Sequence, residues 1–388
     1  MMRILHLGKY YAPQRGGIER HLQDLCEWFA GHGHQVAALV HQAAGCWRSS
    51  METIHEVEIC RVACVAAPLY APISPTFPLQ LARLIKRVKP QVLHLHLPNP
   101  SCFWALLSRR ARALPWVVHW HADVSAEMPD WRVRAAYRLY RPFEQAVLAR
   151  ASAIVVTSQA YLDASGALAR WRDKCTVVPL GIAEANGDKG TAPIWPRPDL
   201  LRLLAVGRLS HYKGFAVLLN ALARTPDASL VLIGQGEESD RLRAQVARLG
   251  LGDRVVLAGE LSEADLLATY AAADALVLPS LDRSEAFGLV LLEAMRARLA
   301  LVASNIAGSG IGQVIVNEIS GLLVKPGDVG ELATALSRIS DPLLRTALAD
   351  AGQQRWREHF TLEQSAQSVL AIYRQLAAAG RQAARQSG

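Results

Sequence analysis

Along the 388 residues, short apolar runs alternate with longer amphipathic stretches. Residues 3–7, 34–40, 58–65, 91–97, 116–120, 153–157 and 176–179 read as buried strands. Between them, a helix follows the loop at 10–20 and runs through residue 29, and helical spacing runs from 77 to 88 and 135 to 150, with a shorter helix carrying Arg109, Arg110 and Arg112. Residues 66–79 are rich in Pro and Ala and read as a surface loop. The alternation resumes with strands at 201–206, 229–233, 255–257, 273–279 and 302–304. Helices at 289–297, 329–339, 342–358 and 361–379 follow the same rule. Strand–helix alternation predicts an α/β fold with parallel, doubly wound sheets. A Gly- and Pro-rich stretch, GIAEANGDKGTAPIWPRPD, divides the chain. The expected organisation is a domain at 1–182, a linker at 183–199, a domain at 200–360, a closing helix at 361–379 and a disordered polar tail at 380–388.

The hydrophobic fraction of 51% suits large soluble cores. No run of about 18 apolar residues occurs, so no membrane-spanning helix is expected. The first residues lack a small-residue cleavage site and read as a strand, which points to the cytoplasm. Six scattered cysteines with no C-x-x-C pair suit free thiols there. The net charge of +8 is uneven. Residues 1–180 carry 21 Lys and Arg against 12 Asp and Glu (+9), and residues 181–388 carry 21 against 22 (−1). A basic first half suggests an anionic partner there, although plain surface variation also fits.

The stretch SLDRSEAFGLVLLEAM (280–295) concentrates candidate chemistry. Glu285 sits in the loop before a helix and Glu293 about two turns inside it, at most ~12 Å away. That span suits two carboxylates gripping two parts of one long ligand. A helix with an acidic start and a solvated Glu fits the spacing too. Phe287, Gly288 and Leu289 lie between them, and free N–H groups at the helix start can receive hydroxyls. Arg208 and Lys213, after a strand and before a helix, form a cationic clamp for phosphates or an ordinary surface turn. Gly234 and Gly236 end a strand where ligands bind in such sheets. Gly16 and Gly17 permit close backbone approach, or a simple turn. His94 with His96, and His119 with His121, share faces of their strands. Their spacing fits a metal site, but strand-end histidines facing a cleft account for it without one. The segment 131–141, with Trp131, Arg132, Arg134, Tyr137, Arg138, Tyr140 and Arg141, suits a membrane interface, a solvated helix or, less well, a nucleic-acid groove.

In E-x-F-G-L-x-x-x-E-A-M the chain resembles the retaining family-4 glycosyltransferases, also called glycosyl transferases group 1, which have the two-Rossmann GT-B fold. P-x-x-G-G-x-E at residues 13–19, G-R-L-x-x-x-K-G at 207–214 and V-H-W-H-A-D at 118–123 match further family motifs in order. The resemblance covers nearly the whole chain. It implies two Rossmann-like domains facing across a cleft, with the last helix returning to the first. It implies transfer of a hexose from a nucleotide diphosphate to an acceptor hydroxyl, with retained configuration and no metal or other cofactor. By it, Arg208 and Lys213 neutralise the departing diphosphate and Glu285 positions the sugar. Phe287, Gly288 and Leu289 hold its hydroxyls, and Glu293 binds ribose. Gly16 and Gly17 close over the phosphates, and His121, with His119 second, contacts the sugar. A weaker likeness to mannosyltransferases of surface-polysaccharide and lipopolysaccharide assembly makes GDP-mannose the first expected donor, with UDP-hexoses as alternative. The expected acceptor is a glycan or a polyprenyl-diphosphate-linked sugar at the inner face of the cell membrane. Two departures stand out: Ala183-Glu184 where the family carries Asp, and a long loop at 305–312 where the family's is shorter. An epimerase or phosphorylase on the same architecture, or a non-catalytic binding protein, are the competing classes.

Overall fold

The computed structural model describes residues 1–14, 16–68, 71–124, 131–185, 190–193 and 195–386, with backbone alone at 131–133 and 380–386. The chain forms two units, one of Met1–Gly181 with Leu362–Gly388, the other Ile182–Thr361.

The first unit runs β1 (Arg3–Leu7), α1 (Gly17–Gly31), β2 (Gln35–His41), β3 (Ser50–Ile54), β4 (Val57–Val62), α2 (Phe77–Val88) and β5 (Val92–Leu97). It continues with α3 (Trp104–Leu107), α4 (Arg109–Arg112), β6 (Trp116–Trp120), α5 (Trp131–Arg150), β7 (Ala153–Val156), α6 (Gln159–Ala164) and β8 (Cys175–Val177). The sheet order is β3-β4-β2-β1-β5-β6-β7-β8. All pairings are parallel except that of β3, which runs antiparallel to β4 at the edge. The expected all-parallel sheet is corrected there. Two residues, His55 (φ 45°) and Glu56 (φ 64°), make the turn. Such left-handed turns favour Asn-Gly, so His-Glu gave no hairpin signal.

Helix α2 buries Phe77, Leu81, Leu84, Ile85 and Val88, one apolar stripe against the sheet. Strands β1, β5 and β6 alternate apolar residues with histidine. Their His6, His94, His96 and His119 are fully buried, and α1 adds His21. The strand-end, cleft-facing reading of these rings is therefore corrected: parallel strands are covered on both faces, and here α1 is the cover.

The second unit runs β9 (Leu201–Val206), α7 (Phe215–Leu222), β10 (Ala228–Ile233), α8 (Ser239–Arg248), β11 (Val255–Gly259), α9 (Glu263–Ala272) and β12 (Ala275–Leu278). Then come α10 (Leu289–Arg296), β13 (Ala300–Ser304), α11 (Ile311–Val314), β14 (Leu322–Val324), α12 (Val329–Arg338) and α13 (Pro342–His359). The sheet order β11-β10-β9-β12-β13-β14 reverses between β9 and β12. In such sheets ligands bind beyond the carboxyl ends of the strands at that reversal. The core is Leu, Val and Ala from β9, β10, β12 and β13 against α7 and α12. Ser262 caps α9 by accepting from the Asp265 N–H at 3.1 Å, and Asp328 caps α12 the same way.

The last helix, α14 (Leu362–Gln386), belongs to the first unit. Its Ala366, Val369, Leu370 and Tyr373 are buried, an i, i+3, i+4, i+7 stripe. Tyr373 meets Phe29 of α1 at 5.4 Å, and Trp28 donates to Glu363 at 2.7 Å. The expectation of disorder from residue 380 is corrected: Gly380 costs only ~1 kcal/mol in a helix, and Ala, Gln and Arg carry it on to Gln386. Residues 387 and 388 lie outside the described residues, as do linker positions 186–189 and 194.

Inside α5, Glu144 is buried, and Tyr137 donates to one carboxyl oxygen at 3.3 Å. Burial pushes its carboxyl up to about 7. A raised carboxyl favours the fold while protonated, so its contribution is complete below the unfolded value near 4.5 and is lost as pH rises through about 7. Glu144→Gln is expected to melt like the parent at pH 4 and to be more stable at pH 8, by up to about 3 kcal/mol. Thermal unfolding across that range measures it; equal pH profiles for both proteins contradict it.

Candidate active site

The site grows from the reversal between β9 and β12. β9 ends at Val206, and the chain turns through Gly207 and Arg208 into the short 3₁₀ turn His211–Lys213. β12 ends at Leu278 and leads through Pro279 and Ser280 to Glu285. The two loops are stitched together, since the Leu281 N–H donates to the Tyr212 carbonyl at 2.7 Å. As a result Lys213 Nζ lies 2.7 Å from Glu285 Oε2, with both side chains about nine-tenths buried. Ser280 Oγ donates to the same oxygen at 2.8 Å. Burial works against the Lys213 charge, but Glu285, Tyr212 and Glu293 outweigh it and hold the ammonium above its ordinary range. The lysine is therefore a fixed cation, and Glu285 is held in place by two donors.

Gly288 stands at φ 83° immediately before α10, a conformation that favours glycine. Phe287 turns inward and is buried. The backbone of 285–286 is pinned by the later loop: Ser309 Oγ donates to the Glu285 carbonyl at 2.5 Å, and the Gly310 N–H to that of Ala286 at 2.7 Å. The long loop at 305–312 thus braces the segment that carries Glu285. Glu293, one turn into α10, accepts from the Tyr270 hydroxyl at 2.7 Å. Burial, then Glu293, pushes that phenol well up, so it stays a donor. Arg208 reaches Glu237 at 3.0 Å. Gly234 lies between, and a Cβ there would meet the Gly207 carbonyl at 2.0 Å; only glycine lets the ends of β9 and β10 approach so closely.

The structure therefore gathers Arg208, Lys213, Gly234, Gly236, Glu285, Phe287, Gly288, Leu289 and Glu293 on the loops and helix start at one end of the second sheet. Gly16, Gly17 and His121 belong to the first unit. Gly16 is the cap of α1, with its carbonyl accepting from the Arg20 N–H at 2.9 Å. His121 follows β6 with 5% exposure, and its Nε2 lies 3.0 Å from His96 Nδ1. Four contributing side chains escaped the sequence reading: Ser280, Tyr270, Glu237 and Ser309. Ser280 lay inside the flagged stretch, whereas Tyr270 on α9 carried no motif.

Tyr137 and Tyr140 of the candidate membrane segment lie on α5. Both are half-buried, with Tyr137 donating to Glu144 and Tyr140 packed on Phe103 at 4.9 Å. The side chains of Trp131 and Arg132 lie outside the described residues.

A family model of the glycosyl transferases group 1 matches residues 196–355, and a glycosyl transferase 4-like domain model matches 16–181. O-antigen chain mannosyltransferase C of Escherichia coli is 26% identical over 96% of this chain and 98% of its own. D-rhamnosyltransferase WbpZ of Pseudomonas aeruginosa is 29% identical over 93% and 92%. Among solved structures, sucrose-phosphate synthase from Thermosynechococcus elongatus superposes with a TM-score of 0.78 at 25% identity, covering 98% of this chain and 100% of that one. Anabaena Alr3699/HepE, solved with UDP and glucose, gives 0.70 at 22% over 96% and 99%. Two Rossmann-like sheets, the Lys213–Glu285 site and these matches agree: the chain is a glycosyltransferase of the GT-B fold, with a glycosyl transferase 4-like domain followed by a glycosyl transferases group 1 domain.

Proposed function

We propose that the protein is a retaining hexosyltransferase that takes its sugar from a nucleotide diphosphate, with GDP-mannose as the first expected donor and UDP-hexoses as the second. The observation that carries this is the buried Lys213–Glu285 pair beside Arg208 at the sheet reversal. Arg208 and Lys213 offer fixed positive charge to a departing diphosphate, so no metal is assigned to the transfer step. Glu285 positions the sugar, with Phe287–Leu289 on its hydroxyls, and Glu293 takes the ribose. Gly16, Gly17 and His121 contribute phosphate and sugar contacts from the first unit. The O-antigen chain mannosyltransferase and the D-rhamnosyltransferase favour mannose or a related sugar, and the UDP-bound neighbour supports a nucleotide-sugar donor. Calorimetric titration with GDP and UDP tests the base. Proton NMR of the product formed from the preferred sugar nucleotide tests retention. Binding of neither nucleotide, or an inverted anomer, contradicts the proposal.

The acceptor we assign is a glycan or a polyprenyl-diphosphate-linked sugar at the inner membrane face, with the protein bound peripherally. Leu139 and Phe143 on α5 and Trp104 and Leu107 on α3 are exposed, among Arg109, Arg110, Arg112, Arg138 and Arg141. Phe103 stacks on Phe143 at 5.6 Å, which sets the start of α3 beside α5. A cavity of about 550 Å³ is lined by Arg141, Pro142, Gln145, Gly166 and Arg170, and its two arginines support an anionic partner there. No helix among the described residues is long and apolar enough to cross a membrane. Each basic side chain near an anionic surface adds ~1 kcal/mol. The protein is expected to sediment with anionic but not neutral liposomes, and to be released by salt. Replacing Arg132, Arg134, Arg138 and Arg141 with Ser should reduce binding and spare donor hydrolysis. Indifference to anionic vesicles at low salt would point to a soluble acceptor instead.

A further inference from the structure

We propose that the histidine cluster inside the first unit, His96, His119 and His121, binds one divalent transition-metal ion of the zinc and copper class. The three rings offer ligand nitrogens that all lie within 4.8 Å of one another. They come from adjacent parallel strands, with His96 opposite His119 in the register of β5 and β6 and His121 just beyond. His21 of α1 lies over them, its ring 4.7 Å from that of His119.

Two observations point to a ligand rather than to ring packing alone. The first is the set of polar atoms left over. Both nitrogens of His119, both of His21 and one each of His6 and His94 are buried with no hydrogen-bond partner among the described residues. An unsatisfied buried polar group costs about 1–3 kcal/mol, and native proteins leave few of them. Six such atoms in one place call for an occupant. The second is spacing. His96 Nδ1 and His121 Nε2 are 3.0 Å apart. Tetrahedral zinc with bonds of ~2.0–2.1 Å holds its nitrogens about 3.3 Å apart, so small ring movements admit the ion between them. His121 then carries its proton on Nδ1 and His96 on Nε2. The latter proton points at His6 Nδ1, 3.1 Å away, the outer hydrogen bond that metal-bound histidines usually make.

The donor chemistry selects the ion. All of these rings are buried, and the three proposed ligands are imidazoles alone. An all-imidazole set with no carboxylate rejects Mg²⁺ and Ca²⁺ and suits Zn²⁺, Cu²⁺ or Ni²⁺. His121, the most exposed of the three, gives the ion its way in. His121 is also assigned a sugar contact, so the site is tested by metal binding and not by turnover.

The test uses the full-length protein without an affinity tag, stripped with chelator and titrated with Zn²⁺ and separately with Co²⁺. One ion per chain is expected, with Co²⁺ giving visible bands of tetrahedral intensity. X-ray absorption of the zinc-loaded parent should count at least three imidazoles, with no substitution needed. His119→Gln should weaken binding at least as much as loss of the outer partner in His6→Phe, for which about 10–100-fold is expected. His55→Gln and His211→Gln, both outside the cluster, should leave affinity unchanged. If His119→Gln does not fold, His121→Asn at the rim takes its place. No stoichiometric ion, fewer than three imidazoles, or affinity lost with His55 or His211 instead of the cluster overturns the proposal.

Discussion

Arg208→Ala should lower kcat for donor breakdown by about 10²–10³, a loss of ~2.7–4 kcal/mol, the scale for one preorganised donor to developing charge. Its ion pair with Glu237 joins two side chains that are both over a third exposed. Pairs of that kind contribute little to stability, so the variant should fold and the loss should be kinetic. Lys213 needs a different design. It is buried against Glu285, and removing one partner leaves a buried carboxylate uncompensated, at a cost of about 3–5 kcal/mol. Lys213→Ala is thus expected to destabilise the second unit as well as to stop turnover. Lys213→Met combined with Glu285→Gln should restore much of the stability and none of the rate. Steady-state kinetics with thermal melts of each variant separate the two effects. Near-normal turnover in folded Arg208→Ala would reject the phosphate clamp.

Glu293→Ala should weaken binding of the bare nucleoside diphosphate by about 10–100-fold, the value of a hydrogen bond to a charged group at ~1.5–3 kcal/mol. Glu293 is fixed by Tyr270 at 2.7 Å and is assigned to ribose, which is present without the sugar. Glu285→Gln should behave in the opposite way. It releases the Lys213 ammonium from its carboxylate partner, so affinity for the free diphosphate should hold or rise while turnover of the sugar nucleotide falls. Titration of both variants with the bare diphosphate checks this. Loss of diphosphate affinity in Glu285→Gln, with none in Glu293→Ala, would exchange the two roles.

Strand periodicity made both sheets legible, and helix α2 was placed to the residue because Phe77, Leu81, Leu84, Ile85 and Val88 spell one stripe. The motifs located the loops that carry Arg208, Lys213 and Glu285, but not their mutual pairing. Nothing in the spacing says that a lysine 72 residues from a glutamate will sit against it; that follows from the β9–β12 pairing. Strand β3 escaped because its side chains are largely exposed and its turn lacks the usual residues. The histidines were visible as pairs on strands. Their assembly into one buried cluster needed His6 from β1 and His21 from α1, which local pattern cannot bring together.

In the proposed reaction the second unit breaks a sugar–diphosphate bond, with Arg208 and Lys213 carrying the departing charge. Phosphorus NMR of the protein incubated with GDP-mannose, and in parallel with UDP-hexoses, tests it most directly. The expected result is slow release of the nucleoside diphosphate from one of these donors by the parent protein, and release at least a hundredfold slower, on the scale above, by Arg208→Ala. No diphosphate from any of these donors, or equal rates from parent and variant, would contradict it.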